Sequence, residues 1–167
     1  IFNFNYGYNS FKDISFFRNY AVALDIKSVL LFFKCRTTNS VVYCDEVGHL
    51  SLDNTHTLQK RSNQLFNYCF AWTTTSTGLT WAFTFDGQMT VTKFLVPGNP
   101  YDLVTTELYN TAYLLASYPA NQQIQHWSFD QTAPGNWVQL PPITIGMSSS
   151  EYFRPTTMYF CPNGANV

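Results

Sequence analysis

Short apolar segments, separated by residues that favour turns, run along most of the chain. The clearest is Gly78–Phe85, in which bulky apolar side chains alternate with threonines. This period of two is typical of a β-strand with one face turned to a core. Asp86-Gly87 is a strong turn signal, and Met89–Val96 has the character of a partner strand. The sequence therefore predicts a β-hairpin here.

Other segments have the same strand character. Val29–Phe33 is an unbroken apolar run, and Val41–Cys44 follows it after the turn-like Thr37-Thr38-Asn39-Ser40. These two segments predict a second hairpin. Further strands are expected at Ile124–Asp130, Trp137–Leu140 and Met158–Phe160.

Several regions depart from the strand pattern. Leu65–Trp72 has apolar residues one, three and four apart, which predicts a short helix, and Asp102–Tyr109 predicts a second one. Polar residues dominate between Gly48 and Ser62, so we expect a surface loop there. Ile1–Tyr8 alternates aromatic residues with Asn and Gly, which is typical of an extended arm.

The spacing of these elements indicates the fold class. Short strands at regular intervals, with turn signals between them, predict an all-β protein built as an antiparallel β-sandwich of jelly-roll type. One or two short helices accompany the strands. We divide the chain into an extended N-terminal arm, residues 1–15, and a jelly-roll sandwich domain, residues 16–167.

The chain is short of charge. Charged residues supply 11% of it, and hydrophobic residues 46%, whereas an ordinary soluble domain has about 25% charged residues. The net charge is −1. This composition excludes an intrinsically disordered chain and a basic nucleic-acid-binding module. It favours a packed domain that is surrounded by other subunits, because near-zero charge promotes association.

The cysteines and the apolar runs bear on the compartment. A chain with this much apolar mass needs no disulfide, so we expect free thiols and a reducing compartment, although four cysteines allow three pairings. The longest apolar run, Val29–Phe33, is too short for a transmembrane helix. The cysteines are Cys35, Cys44, Cys69 and Cys161.

No motif for catalysis is present. The chain has no G-x-S-x-G elbow, no Walker loop and no dinucleotide-binding glycine pattern. The histidines, His49, His56 and His126, lie at no zinc-ligand spacing, and we expect structural or solvent-exposed roles for them. The adjoining carboxylates of Asp45 and Glu46 would point apart in a strand. We therefore expect no enzyme activity, no catalytic residue, no metal and no cofactor.

The four tryptophans leave one alternative open. Trp81 and Trp127 lie in alternating strands and are expected in the core. Trp72 and Trp137 lie nearer to turns, and together with Tyr118 they could form a platform on which sugars stack. The alternative function is therefore a β-sandwich carbohydrate-binding, lectin-like module.

The order of the predicted elements is similar to that of a known family. The first hairpin ends at Val96-Pro97-Gly98-Asn99-Pro100. Next come the short helix predicted at Asp102–Tyr109 and the strand segment His126–Asp130. The last segment is Val138–Ile143, which lies ahead of Glu151-Tyr152-Phe153-Arg154. Phe16-Phe17-Arg18 looks like an aromatic-Arg segment that opens a first strand. Over most of residues 16–154 this succession resembles the jelly-roll capsid proteins of picornaviruses and picorna-like positive-strand RNA viruses.

There are two departures from the family pattern. Trp127 is separated from Asp130, where the family usually sets these residue types side by side. Only residues 155–167 follow Arg154, fewer than the last two strands of an eight-stranded jelly roll need. The resemblance therefore implies a sandwich that is incomplete at its C-terminus.

The resemblance implies a function by assembly. The chain would be a structural capsid protein that assembles with copies of itself and with other capsid subunits into an icosahedral shell around an RNA genome. It would reside in the virion and assemble in the host cytoplasm. With nine Lys and Arg, its contact with viral RNA would be weak or indirect. The sequence does not indicate a host receptor.

The resemblance and the aromatic arm together indicate interface residues. The arm would lie along a neighbouring subunit by strand addition, or it would be a disordered terminus. We also expect His126 to titrate near an interface and to weaken it on acidification. The candidate interface residues are Phe2, Phe4, Tyr6, Tyr8, Arg18, Tyr152 and Arg154.

Overall fold

The computed structural model describes residues 1–143, except 6, 8, 9, 54, 60–62, 66, 67, 88, 89, 131 and 134, together with Met158. The described residues form fourteen β-strands and one turn of 3-10 helix, and none of them lies in an α-helix. The all-β class is therefore confirmed. The chain divides into two compact units, Ile1–Gly98 and Asn99–Val167.

The first unit contains two sheets. Sheet 1 has the order β1-β5-β4-β3-β2 and consists of β1 (Phe2–Asn5), β2 (Phe11–Phe17), β3 (Tyr20–Asp25), β4 (Val29–Thr38) and β5 (Val41–Ser51). Sheet 2 has the order β10-β9-β8-β6, with β7 also paired to β8. It consists of β6 (His56–Leu58), β7 (Asn63–Leu65), β8 (Tyr68–Thr75), β9 (Thr80–Phe85) and β10 (Val91–Val96).

Sheets 1 and 2 share one buried layer. Val22 and Leu24 of β3 lie beside Phe32 and Leu30 of β4 on one face of sheet 1. These four side chains pack against Leu58, Cys69, Ala71, Phe83 and Phe85 of sheet 2. Full burial stabilises the fold by about 1.5–3 kcal/mol for each large apolar side chain. This layer therefore makes the first unit a sandwich, as the sequence predicts.

The opposite face of sheet 1 is also buried, because the sheet is rolled. β1 and β2 are its two edge strands, yet the ring centroids of Phe4 on β1 and Phe11 on β2 are 5.1 Å apart. Both rings contact Phe33 on the central strand β4. Ala21 and Ala23 of β3 lie on the same face, where small side chains leave room for the rings. We call this face, with Phe33 at its centre, the rolled face.

The second unit contains sheet 3, whose described strands pair in the order β11-β12-β13-β14. They are β11 (Asp102–Leu108), β12 (Thr111–Tyr118), β13 (Gln123–Asp130) and β14 (Val138–Ile143), and the 3-10 turn Pro119–Asn121 joins β12 to β13. One face of the sheet carries buried apolar side chains, among them Leu103, Ala112, Leu114, Trp127 and Phe129.

The sequence analysis predicted two helices and one loop where the structure has strands. The helix predicted at Leu65–Trp72 is wrong, because β8 begins at Tyr68 and buries side chains on both faces, which removes the period of two from its sequence. The helix predicted at Asp102–Tyr109 is also wrong, because β11 pairs with β12 along its whole length. The loop predicted between Gly48 and Ser62 is interrupted by the end of β5 and by β6.

The hairpins predicted from turn signals are confirmed. β4 and β5 join through Asn39-Ser40, which both have positive φ, as a two-residue type I′ turn requires. β9 and β10 pair on either side of the Asp86-Gly87 signal. The strands at 124–130 and 137–140 correspond to β13 and β14. Of the strand predicted at Met158–Phe160, all but Met158 lies outside the described residues.

Each described sheet is ordered mainly as a meander. Apart from β1 and β6, strands pair with their neighbours in sequence, whereas jelly rolls interleave distant strands as Greek keys. The antiparallel sandwich is thus observed without the jelly-roll strand order among the described residues. The division into an arm, 1–15, and a domain, 16–167, stays a prediction. No helix of the described chain is long and apolar enough to cross a membrane.

Candidate functional site

One end of the rolled face opens into a groove of about 520 Å³. Strands β1, β2, β4 and β5 and the β2–β3 turn contribute to it, so it forms only when the sheet is rolled. Its lining includes Phe2, Phe16, Arg18, Cys35, Arg36 and Val42. We call it the mouth groove.

The mouth groove has an aromatic wall. The rings of Phe2 and Phe16 have centroids 4.9 Å apart and planes inclined by 45°. Phe2 is 57% exposed and Phe16 is 47% exposed. The two edge strands thus bring together apolar surface that water reaches, next to the half-buried Val42 of β5.

A disulfide joins two strands beside this wall. Cys35 of β4 and Cys44 of β5 are directly opposite each other, with Cα atoms 4.1 Å apart, and their sulfurs are bonded. The expectation of free thiols is wrong for this pair, because the register of the hairpin, not the apolar content of the chain, decides which cysteines meet. Disulfides persist in oxidising settings, which include secreted proteins and virion surfaces.

The other two cysteines differ from this pair. Cys69 is a free thiol in the core between sheets 1 and 2, and burial raises its pKa to about 12. Such a thiol is inert as a nucleophile, since the thiolate is the reactive form. Cys161 lies outside the described residues.

Two arginines stand at the rim of the mouth groove with different partners. Arg36 forms an ion pair with Asp45, and its guanidinium lies 5.8 Å from the ring centroid of Tyr43. The guanidinium of Arg18 lies 5.4 Å from the ring centroid of Phe17. Among the described residues, no carboxylate forms an ion pair with Arg18.

Two hairpin turns place a large side chain where glycine is favoured. Arg18 has φ 52° in the two-residue turn between β2 and β3, and Tyr109 has φ 55° in the turn between β11 and β12. A left-handed conformation costs a residue with a Cβ about 1–2 kcal/mol. Tyr109 is 97% exposed and its neighbour Leu108 is 57% exposed. Both tips therefore present a long side chain at the expense of stability.

The structure brings together three of the predicted interface residues. Phe2 and Phe4 follow one another along β1, and Arg18 stands at the other edge of the same sheet. β1 pairs in parallel with β5 of its own chain, with Phe2 opposite Val42. The arm thus adds a strand to this sheet and not, in the single chain, to a neighbour. Tyr6, Tyr8, Tyr152 and Arg154 lie outside the described residues.

His126 lies in β13, on the face of sheet 3 opposite to Trp127. Its cross-strand neighbours are Leu115 and Leu140. The ring is half-buried, and its Nδ1 atom is buried without a hydrogen-bond partner among the described residues. Its role at an interface stays a prediction.

The expected sugar platform is not at the surface. Trp72, Trp137 and Tyr118 are all buried, and burial raises the pKa of Tyr118 to about 12. A sugar stacks only on an aromatic face that solvent reaches, so these three residues form no platform. The core position predicted for Trp127 is confirmed, and Trp81 is half-buried against the core of the first unit.

His56 is a buried polar residue that the predicted loop concealed. It begins β6, and its Nδ1 lies 2.7 Å from the hydroxyl of Thr73. Burial lowers its pKa, Asp53 nearby opposes that shift, and Lys12 adds to it. His56, Thr57 and Leu58 are buried, exposed and buried in turn, as in a strand with one face in the core. Three residues are too few for this alternation to be recognised in the sequence.

Among the described residues, no three His, Cys, Asp or Glu side chains cluster as metal ligands would. Comparison with protein-family models and with curated proteins finds no match. The surface and the mouth groove are therefore the features from which a function can be argued.

Proposed function

We propose that the chain is a structural subunit of a viral capsid, which assembles with copies of itself and with other subunits into an icosahedral shell around an RNA genome. The motifs between residues 16 and 154 support this proposal, except for the short helix, in whose place the structure has strand β11. The shortage of charge supports it as well. The meander order of the sheets does not add to it.

The observation that carries the proposal is the tip of the β11–β12 hairpin. Tyr109 is almost wholly exposed in a strained backbone conformation, next to the exposed Leu108. Glycine or asparagine would suit this turn better. An aromatic side chain held away from its own fold is typical of an anchor that enters a pocket of a partner.

β14, which lies at the edge of sheet 3 among the described strands, supports the same conclusion. β14 is uncharged, and five of its six residues are exposed, including Val138 and Ile143. Pro141 and Pro142 occupy this edge next to an irregular register with β13, where prolines remove no ladder hydrogen bond. They also block further strand pairing. Contacts at this edge would therefore be made by side chains.

The disulfide is compatible with a shell that leaves the cell. Assembly in the host cytoplasm, which we also propose, requires that Cys35 and Cys44 be oxidised after assembly, since cytosolic thiols are kept reduced. The carbohydrate-binding alternative loses its three platform residues to the core. We therefore treat it as an outcome of the experiment.

Sedimentation velocity on the full chain, with electron microscopy of the fast fraction, tests the proposal. We expect material of megadalton size that protects RNA from nuclease. Tyr109→Gly relieves the turn and removes the anchor, so it should fold and fail to assemble. Ser40→Gly relieves a comparable turn without removing an aromatic group, and it should assemble like the parent.

One result would overturn the proposal, namely a chain that stays a 19.2 kDa monomer at every concentration, and glycan binding by that monomer would point to the alternative. Normal assembly of Tyr109→Gly would instead refute the role of Tyr109 as an anchor. His126→Gln particles that dissociate at the same acidic pH as the parent would refute the proposed role of His126.

A further inference from the structure

The mouth groove has the size and the walls of a small-molecule site. Its volume of about 520 Å³ lies within the range of roughly 300–1,000 Å³ that such sites occupy, and the open end of a rolled sheet is a common place for them. Phe2 and Phe16 give it a continuous aromatic wall. This wall favours a flat apolar group, because aromatic rings gain from stacked or tilted contact with one another.

The charged side chains at the rim indicate that the ligand is an anion. Asp45 already compensates Arg36, whereas Arg18 forms no ion pair with a described carboxylate and its guanidinium lies against the ring of Phe17. A guanidinium that lies on a ring keeps its edge N–H groups free, and these match the two oxygens of a carboxylate. Arg18 is thus the group that would pair with an anion.

The backbone supports this assignment to Arg18. Its φ of 52° is a value that glycine adopts without cost. Strained residues of this kind concentrate at ligand sites, where the side chain is needed. The turn alone gives no reason for an arginine.

We propose that the mouth groove binds a small planar aromatic carboxylate, with its ring against Phe2 and Phe16 and its carboxylate paired with Arg18. The ligand lies beside the Cys35–Cys44 disulfide, which fixes the distance between β4 and β5 at the floor. The ion pair forms in contact with solvent, so its contribution is modest and most of the affinity comes from the ring.

Isothermal titration of the full, oxidised chain with 2-naphthoate tests the proposal. The neutral isostere 2-naphthamide and the non-planar anion cyclohexanecarboxylate should both bind more weakly. An exposed ion pair changes affinity by about fivefold at most, so we expect 2-naphthamide to bind about three- to fivefold more weakly than 2-naphthoate. Phe16→Ala should weaken both naphthalene ligands together.

The two rim arginines supply the matched control. Arg18→Gln should abolish the preference for 2-naphthoate over 2-naphthamide, and Arg36→Gln should preserve it. Arg18→Gly should abolish it as well, while its urea midpoint equals or exceeds that of the parent, because glycine suits the turn. This variant separates a loss of binding from a loss of folding.

Three results would overturn the proposal. The first is no heat and no chemical-shift change with millimolar 2-naphthoate. The second is equal affinity for the acid and the amide in the parent. The third is an equal loss of preference in Arg18→Gln and Arg36→Gln, which would indicate a general effect of rim charge.

Discussion

Replacing Gly48 with alanine perturbs the contact between sheets 1 and 2 at a single atom. Gly48 lies in β5 opposite Phe32 of β4. The ring of Phe85 from β9 stacks on that of Phe32, with centroids 5.0 Å apart. A Cβ on Gly48 would lie 2.3 Å from Cε2 of Phe85, whereas carbon atoms in contact are about 3.5–4.0 Å apart.

The expected cost follows from this overlap. Phe85 and Phe32 are fully buried, so the ring cannot turn away without disturbing the layer between the sheets. Overpacking of this kind costs about 1–3 kcal/mol. Replacing glycine also reduces the conformational entropy of the unfolded chain, which stabilises the fold by about 0.4–1 kcal/mol. We expect a net destabilisation of about 1–2 kcal/mol, which lowers Tm by about 2–8 °C for a chain of this size.

Urea unfolding followed by tryptophan fluorescence measures the effect. Gly7→Ala is the matched control, because a Cβ at Gly7 would meet nothing within 4 Å. Gly48→Ala should also cost less in a Phe85→Leu background, since residues in contact are not additive. Equal urea midpoints for Gly48→Ala and Gly7→Ala would refute the proposed packing.

Other parts of the fold give three more predictions. Cys35→Ser with Cys44→Ser should lose about 2–3 kcal/mol, the loop-closure contribution of a ten-residue loop; an equal urea midpoint with and without reductant would contradict it. Burial lowers the pKa of His56 in the folded chain, so as the pH falls this histidine is protonated at a higher pH in the unfolded chain than in the folded one. Stability should be full above about pH 6.5 and fall as the pH drops towards the folded pKa; His56→Gln should flatten this slope, and an unchanged slope in urea unfolding would count against it. Asp25 is buried and its Oδ1 accepts two backbone N–H groups at 2.8 and 2.9 Å. Asp25→Ala should therefore cost about 2–3 kcal/mol, and Asp25→Asn, which keeps an acceptor oxygen, clearly less by the same assay.

The two errors of the sequence analysis in sheet 2 have different physical origins. A period of two appears only where a strand buries one face. β8 buries both, and its consecutive apolar residues Cys69, Phe70, Ala71 and Trp72 also fit a short helix. β6 is too short for any period to be visible. The second face of β8 is buried by distant parts of the chain, so no local pattern in the sequence shows that burial.

The sequence indicated some residues of the candidate site but not the groove that they form. The aromatic arm and the Phe16-Phe17-Arg18 segment drew attention to Phe2, Phe4 and Arg18 from the sequence. Nothing local indicated that the two edge strands of sheet 1 would meet. The rolled face and the mouth groove arise from the packing of Phe4 and Phe33, which are 29 positions apart.

The sequence by itself determined the elements that local chemistry controls. Turn signals such as Asn39-Ser40 and Asp86-Gly87 placed the hairpins, and the low charge indicated a surface with few solvated groups. The tertiary structure decided which residues meet: it pairs Cys35 with Cys44 in a disulfide, buries Trp72 and Trp137 and rolls sheet 1. Local signals act through φ and ψ within a few residues, whereas register and curvature are set by side-chain volumes from strands that the sequence keeps apart.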